Sequence, residues 1–167
     1  MRTLLLEGLL KTPLTEPGPD QAEAGRLAGE LDALARRMLG RSLSIRAVDA
    51  GSCNGCELEM HALGNAFYDL ERFGLRFVAS PRHADVLMIT GPVCANMRVA
   101  VERTHAATPS PKWVVAVGDC ACTGGVFAGS YAIAGAAEDV VPVDLRIPGC
   151  PPDPVALLRG LIGLLGA

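Results

Sequence analysis

The chain has 167 residues, of which 50% are hydrophobic and 20% are charged, and its formal net charge is −3. This length suits one domain with a core of its own, and the absence of a basic run or a basic excess argues against a nucleic-acid-binding protein. No apolar run approaches the roughly 18–20 residues of a membrane span, and Glu7 interrupts the N-terminal leucine cluster, so we expect neither a transmembrane helix nor a secretory signal.

The first forty residues are predicted to form an N-terminal extension with one helix. Residues 1–19 combine a leucine cluster with a stretch rich in Pro, Gly and Thr. From 20 to 39, helix-forming residues place apolar side chains at helical spacing, with Asp20 as the predicted N-cap and Gly40 as the predicted stop. The pattern changes after residue 40, which predicts a second unit over residues 41–167.

From residue 43 onward, short apolar segments alternate with helical ones. The predicted strands are LSIRAV (43–48), LRFVA (75–79), DVLMITG (85–91), WVVAVGD (113–119) and DVVPVD (139–144). The predicted helices span 57–73, 95–107 and 153–166. Strands that alternate with helices form mainly parallel sheets covered on both sides. We therefore predict an α/β fold with an open, mainly parallel sheet and helices on both faces.

All six cysteines lie in loops that follow predicted strands. The loops are GSCNGC (51–56), GPVC (91–94), GDCACTGG (118–125) and IPGCPP (147–152). Ligand sites in open parallel sheets lie at the carboxyl ends of the strands, so cysteines that are distant in sequence are predicted to meet at one edge. We expect a cytoplasmic, reducing compartment, where cysteines are metal ligands or free thiols rather than disulfides.

The surroundings of Cys53, Cys56, Cys120 and Cys150 favour an iron–sulfur cluster. Neighbouring glycines let backbone amides approach a bound group, and the prolines after Cys150 stiffen their loop. A cluster needs four thiolates and amides near its sulfurs, which these three loops supply. A structural zinc site usually has two local ligand pairs, whereas here one pair accompanies two isolated cysteines. A redox dithiol leaves the other loops unexplained.

Other polar residues near these loops have simpler interpretations. Cys94 and Cys122 are interpreted as small buried residues rather than ligands. Glu57 and Glu59 begin a predicted helix, where acidic side chains favour the helix dipole, and a proton-transfer role is the alternative. The glycine-rich loop GDCACTGG (118–125) lacks the lysine of a phosphate-binding loop, so a nucleotide is not expected there.

Four long stretches resemble one protein family, in the same order. They are VDAGSCNGCELEM, ERFGLRFVASPRHADVLMITGPV, PKWVVAVGDCACTGGVF and GSYAIAGAAEDVVPVDLRIPGCPPDP. The chain is similar, from about Leu43 onward, to the small iron–sulfur subunit shared by membrane-associated group 4 nickel–iron hydrogenases and by respiratory complex I, where it is the B (PSST) subunit. The resemblance implies a flavodoxin-like fold and no catalytic residue in this chain. It also implies one 4Fe-4S cluster with four ligands: Cys53, Cys56, Cys120 and Cys150.

The same resemblance implies an electron-transfer subunit of a larger oxidoreductase. The C-N-G-C spacing, in place of the two adjacent cysteines of complex I, favours the hydrogenase branch. We therefore expect a membrane-associated, formate hydrogenlyase-like complex. Its other members would be a nickel-bearing large subunit, a ferredoxin-like iron–sulfur subunit and membrane subunits. We expect this chain to be a peripheral subunit on the cytoplasmic side of the membrane. Two alternatives stay open. One is a B-type subunit of a complex I-like NADH/quinone oxidoreductase or ion-pumping module without nickel, and the other is a structural zinc-binding scaffold.

Overall fold

The computed structural model describes Gly18 and residues 20–166, so most of the predicted segment before the first helix lies outside the described residues. The helices are α1 (Gln21–Leu39), α2 (Gly55–Ala62), α3 (Arg98–Ala107), α4 (Gly118–Thr123) and α5 (Pro154–Gly166). The strands are β1 (Ser44–Asp49), β2 (Arg76–Phe77), β3 (Val86–Thr90), β4 (Val93–Cys94), β5 (Trp113–Val117), β6 (Ile133–Gly135) and β7 (Leu145–Ile147). Within the described part of the chain, no helix is both long enough and apolar enough to cross a membrane.

Five strands form one parallel sheet in the order β2-β1-β3-β5-β7. The register places Ile45 beside Val86, and Val86 beside Trp113. When only the five strands of this sheet are numbered, in chain order, the first strand lies between the second and the third. This is the strand order of flavodoxin-like folds. The predicted α/β fold is therefore confirmed. Strands β4 and β6 pair separately, in antiparallel orientation.

Two hydrophobic clusters cover the two faces of the sheet. Val86 and Met88 of β3 belong to the first cluster, with buried leucines of α1 and α5 and with Met60 of α2. Leu87 and Ile89 belong to the second, with residues of α3 and α4. Successive residues of a strand point to opposite faces, so β3 is buried on both sides. Its uninterrupted apolar sequence is typical of a strand covered in this way.

Helix α1 begins and ends at the residues that the sequence predicted. The Oδ1 atom of Asp20 accepts a hydrogen bond from the Ala22 amide at 2.9 Å. Gly40 has a φ of +69° and donates its amide to the Arg36 carbonyl oxygen at 2.9 Å. The buried face of the helix lies in the same cluster as α5 and the sheet. The boundary between residues 40 and 41 stays a prediction.

The predicted helix over 57–73 is shorter in the structure and ends at Ala62. The side chain of Asn65 accepts hydrogen bonds from the amides of Phe67 and Tyr68, at 2.8 and 3.1 Å. Such local side-chain bonds compete with a helix for the backbone amides. A short 3₁₀ turn, Leu70–Phe73, then leads to β2.

The predicted strand over 139–144 is wrong, and the strand lies at Leu145–Ile147 instead. Pro142 has no amide hydrogen to donate to a sheet. Asp144 bonds to β5 partly through its side chain, which accepts from the Val114 amide at 2.7 Å. The backbone ladder with β5 begins only at Leu145.

Candidate metal centre

Four of the six cysteines line one small cavity at the carboxyl end of the sheet. The cavity has a volume of about 80 Å³. Its lining comprises Ser52, Cys53, Gly55, Cys56, Gly91, Asp119, Cys120, Gly149, Cys150 and Pro151. The four cysteines follow β1, β5 and β7, which confirms that loops distant in sequence meet at one edge.

The loop after β1 is folded by its own side chains. The Oδ1 atom of Asp49 accepts from the amides of Gly51 and Ser52, both at 2.8 Å. The hydroxyl of Ser52 accepts from the Asn54 amide at 3.1 Å. Asn54 has a φ of +73° and directly precedes α2. These local bonds place Cys53 just before the helix and Cys56 in its first turn.

Cys120 lies on α4, a short helix where the sequence predicted a loop. Gly118, with a φ of +83°, begins this helix, and a Cβ atom added to it would lie 2.5 Å from the Cys56 sulfur. A Cβ atom on Gly125 would lie 2.9 Å from the Cys120 sulfur. Glycine is therefore required where the backbone passes the sulfurs, as the glycine-rich loop indicated.

The loop that contains Cys150 is bonded to the loop that contains Cys120. The Asp119 amide donates to the Gly149 carbonyl oxygen at 2.9 Å. In return, the Gly149 amide donates to the Oδ1 atom of Asp119 at 2.8 Å. Residues adjacent to two of the cysteines thus form a reciprocal pair of hydrogen bonds. This contribution of Asp119 was not predicted; its position next to Cys120 was the signal available in the sequence.

The electrostatics of the cavity disfavour free thiolates. Burial, and then Glu57 and the other three thiols, raise the pKa of the Cys56 thiol from 9.0 to about 12. Burial, and then Cys150, Cys53 and Asp119, raise the pKa of Cys120 as well. Cysteine binds metals as the thiolate. A positively charged group among the four sulfurs would relieve their repulsion, so this donor set fits a metal centre.

The four cysteines supply the sulfur donors around the cavity. Among the residues that the structure describes, no group of three or more His, Cys, Asp or Glu side chains is placed so as to hold a metal ion. A zinc ion needs its four ligands within about 2.3 Å. A 4Fe-4S cluster takes one thiolate at each iron, and four cysteines are the number of donors that such a group needs.

Cys94 and Cys122 do not line the cavity. Cys122 is buried in the second hydrophobic cluster, where its sulfur lies 3.6 Å from the Ala116 carbonyl oxygen. Residues two apart on a helix point to nearly opposite sides, so Cys122 points away from Cys120. Cys94 lies in β4, opposite Ile133 of β6. Cys122 is thus buried as predicted, whereas Cys94 is only half-buried, and the interpretation that neither cysteine is a ligand stays a prediction.

A second cavity, of about 510 Å³, lies between β1 and α2 and contains Arg46, Glu57 and His61 in its lining. Both carboxylate oxygens of Glu57 and the Nε atom of Arg46 are buried there without a hydrogen-bond partner. Arg46 was not singled out from the sequence, since a lone arginine in a predicted strand gives no signal of a cavity. Glu57 adjoins Cys56 in sequence, and its proton-transfer role stays a hypothesis.

Comparison with known proteins gives a family match over the region of the cysteines. The family model described as "NADH ubiquinone oxidoreductase, 20 Kd subunit" matches residues 53–164, a range that includes all four cysteines of the cavity. The chain is also similar to a chain in the solved structure of the membrane-bound sulfane sulfur reductase, an archaeal respiratory membrane complex. That match has a TM-score of 0.67 and 36% identity, and it covers 82% of this chain and 74% of the other.

Two curated relatives are subunits of hydrogen-metabolising systems by name. The chain is 44% identical over 130 residues to formate hydrogenlyase subunit 7 of Escherichia coli (strain K12), covering 78% of this chain and 51% of that protein. It is 44% identical over 126 residues to the probable membrane-bound hydrogenase subunit mbhJ of Pyrococcus furiosus, covering 75% of each. The chain therefore spans about half the length of the Escherichia coli protein.

Proposed function

The chain belongs to the family of the NADH ubiquinone oxidoreductase 20 Kd subunit, and from this premise we propose that it is the electron-transfer subunit of a membrane-associated nickel–iron hydrogenase complex. It binds one 4Fe-4S cluster through Cys53, Cys56, Cys120 and Cys150. The observation that carries the proposal is the convergence of these four cysteines on one cavity lined with glycine. The chain has no catalytic residue of its own in this function.

Each part of the cavity has a task in electron transfer. When bound, the cluster supplies the one-electron chemistry. Cys56 and Cys120 hold its inner side and are partly buried, whereas Cys53 and Cys150 are exposed. The cluster would therefore lie at the surface, within reach of a redox group in a partner subunit. The hydrophobic clusters behind the cavity exclude water from its inner side.

Exposed apolar side chains that follow α4 in the chain support a partner on this part of the surface. Val126, Phe127 and Tyr131 follow α4, and they are 88%, 43% and 101% exposed. Neighbouring apolar side chains that stay exposed in one chain mark interaction surfaces. We propose that the large subunit covers these side chains and brings its active site next to the cluster. A ferredoxin-like subunit and membrane subunits complete the complex. In this complex, the chain is peripheral and lies on the cytoplasmic side of the membrane.

The hydrogenase assignment rests on the two curated relatives and on the C-N-G-C spacing. A second candidate is a complex I-like oxidoreductase without nickel. It is favoured by the likeness to a chain of the sulfane sulfur reductase complex, whose name is not that of a hydrogenase. Both candidates use the same cluster, and they differ in the metal of the partner subunit.

Two cysteine variants in α4 test the cluster assignment. We expect the wild-type chain, purified without oxygen, to contain about four irons and to absorb broadly near roughly 400 nm, as thiolate-ligated clusters do. Cys120→Ser should lose most of its iron, because a ligand is removed. Cys122→Ser is the matched control and should keep its iron, because that sulfur lies outside the cavity.

Iron, acid-labile sulfide and zinc per chain are the quantities to measure. A wild-type chain that contains zinc and no iron would contradict the cluster and support the structural zinc scaffold. Equal loss of iron in both variants would contradict the ligand assignment, because it would show that any change in α4 releases the cluster.

A further inference from the structure

We propose that Asp119 is a positioning residue for the cluster. Asp119 joins two of the loops that carry cluster ligands, and its carboxylate lowers the reduction potential of the cluster. The inference rests on the proposed function, since it presupposes a cluster among the four cysteines. It goes further by giving a role to a residue that is not a ligand. Two independent features carry it: the hydrogen bonds of Asp119 and the charge of its side chain in the cavity.

The hydrogen bonds fix the spacing between Cys120 and Cys150. Asp119 directly precedes Cys120, and Gly149 directly precedes Cys150. The bond from the Asp119 amide to the Gly149 carbonyl oxygen measures 2.9 Å. The bond from the Gly149 amide to the Oδ1 atom of Asp119 measures 2.8 Å. Because the two bonds run in opposite directions between residues adjacent to two ligands, they hold both sulfurs at the cavity before any metal binds.

The carboxylate also brings a negative charge to the cavity. Among the residues that line it, Asp119 is the one with a carboxylate, beside the four cysteines. Reduction adds an electron to a group already surrounded by four thiolates. A nearby carboxylate repels that electron, and the net charge around a cluster is one determinant of its potential. Asp119 therefore stabilises the oxidised cluster and lowers its potential.

A second aspartate forms the same pair of bonds at the opposite end of the same two strands. The Asp144 amide donates to the Val114 carbonyl oxygen at 2.9 Å, and the Val114 amide donates to the Oδ2 atom of Asp144 at 2.7 Å. At about 3.3 Å per residue, the strand from Val114 to Val117 alone places the two pairs at least roughly 10 Å apart. Asp144 thus links β5 to β7 as Asp119 does, without lining the cavity.

This pair of aspartates allows the role in the cluster to be separated from the role in folding. The variants are Asp119→Asn, Asp119→Ala and Asp144→Asn, each purified without oxygen in the complex that the tagged chain forms. The first measurement is a redox titration of the cluster followed by electron paramagnetic resonance. The second is the rate at which a ferrous chelator removes iron.

Asp119→Asn removes the charge but keeps an oxygen that can accept from Gly149, so it should retain its iron and shift the midpoint potential upward. Asp119→Ala also leaves the Gly149 amide without its acceptor, and should shift the potential upward and lose iron about tenfold faster. Asp144→Asn should have the wild-type potential, because its charge lies farther from the cluster. If Asp119→Ala does not fold, Asp119→Asn still tests the charge.

Two outcomes would overturn the inference. One is a wild-type potential in Asp119→Asn, which would show that the carboxylate does not act on the cluster. The other is an equal shift in Asp144→Asn, which would show that loosening β5 from β7 is sufficient. A wild-type complex without iron in this chain is a distinct result, because it would contradict the proposed function itself before Asp119 is tested.

Discussion

Gly118 connects β5 to α4 at a point where the backbone passes close to a cavity sulfur. Its φ of +83° is favourable for glycine. The added Cβ would lie 2.5 Å from the Cys56 sulfur, a distance at which one of the two groups must move. The missing side chain of Gly118 therefore allows the backbone of one loop to pass beside the Cys56 sulfur of another.

We expect Gly118→Ala to lower the free energy of unfolding by about 1–2 kcal/mol, because alanine is unfavourable in a left-handed backbone conformation. We also expect the variant to lose most of its iron, because the new methyl group displaces Cys56. Gly129→Ala is the matched control. Gly129 has a φ of +79°, and no atom lies within 4 Å of its added Cβ. It should show a similar loss of stability with full iron content. Denaturant unfolding and iron analysis measure the two effects, and equal iron in both variants would contradict the steric explanation.

At the scale of elements, α1 is held to the domain by its buried face. Leu27 and Leu31 share the first hydrophobic cluster with leucines of α5. The ion pair between Glu23 and Arg159 also joins the two helices, but exposed ion pairs contribute only about 0–1 kcal/mol. Burial of the leucines is therefore the larger contribution. A helix predicted as part of an extension is in the structure packed into the core of the domain.

Leu31→Ala should lower the free energy of unfolding by about 2–5 kcal/mol, because Leu31 is fully buried and its removal leaves a cavity. Met38, on the same helix, is 49% exposed, and Met38→Ala should change stability by less than about 0.5 kcal/mol. Denaturant unfolding of the whole chain measures both. If the two variants were equally stable, α1 would be shown to contribute little to the domain.

At the scale of the molecule, the sheet order brings the cysteine loops together. Strands β5 and β7 are neighbours, and β3 separates them from β1. Gly91, just after β3, lines the cavity between the loop that follows β1 and the loops that follow β5 and β7. The exposed residues Val126 and Tyr131 follow, in the chain, the helix α4 that contains the cavity residue Cys120. The sheet order thus places the four-cysteine cavity at the carboxyl end of the sheet.

Elemental analysis of the complex purified without oxygen through a tag on this chain distinguishes the candidate functions. We expect iron together with nickel, because the hydrogenase proposal places a nickel-bearing large subunit next to the cluster. Iron without nickel would support the complex I-like oxidoreductase. Zinc in place of iron would contradict electron transfer by this chain.

The sequence by itself determined the features that depend on neighbouring residues. The start and end of α1 follow from Asp20 and Gly40, whose cap bonds are local. The strands β1, β3 and β5 follow from apolar segments bounded by turn residues. Because parallel strands all end at the same edge, even the meeting of the cysteine loops was predictable.

Only the tertiary structure decided what depends on packing between distant residues. Apolar patterns do not specify which strands are neighbours, and the bond between Asp144 and Val114 joins residues thirty positions apart. The bonds between Asp119 and Gly149 join residues thirty positions apart. Spacing within the chain cannot specify such distances, because they arise when separate loops are brought together by the core beneath them.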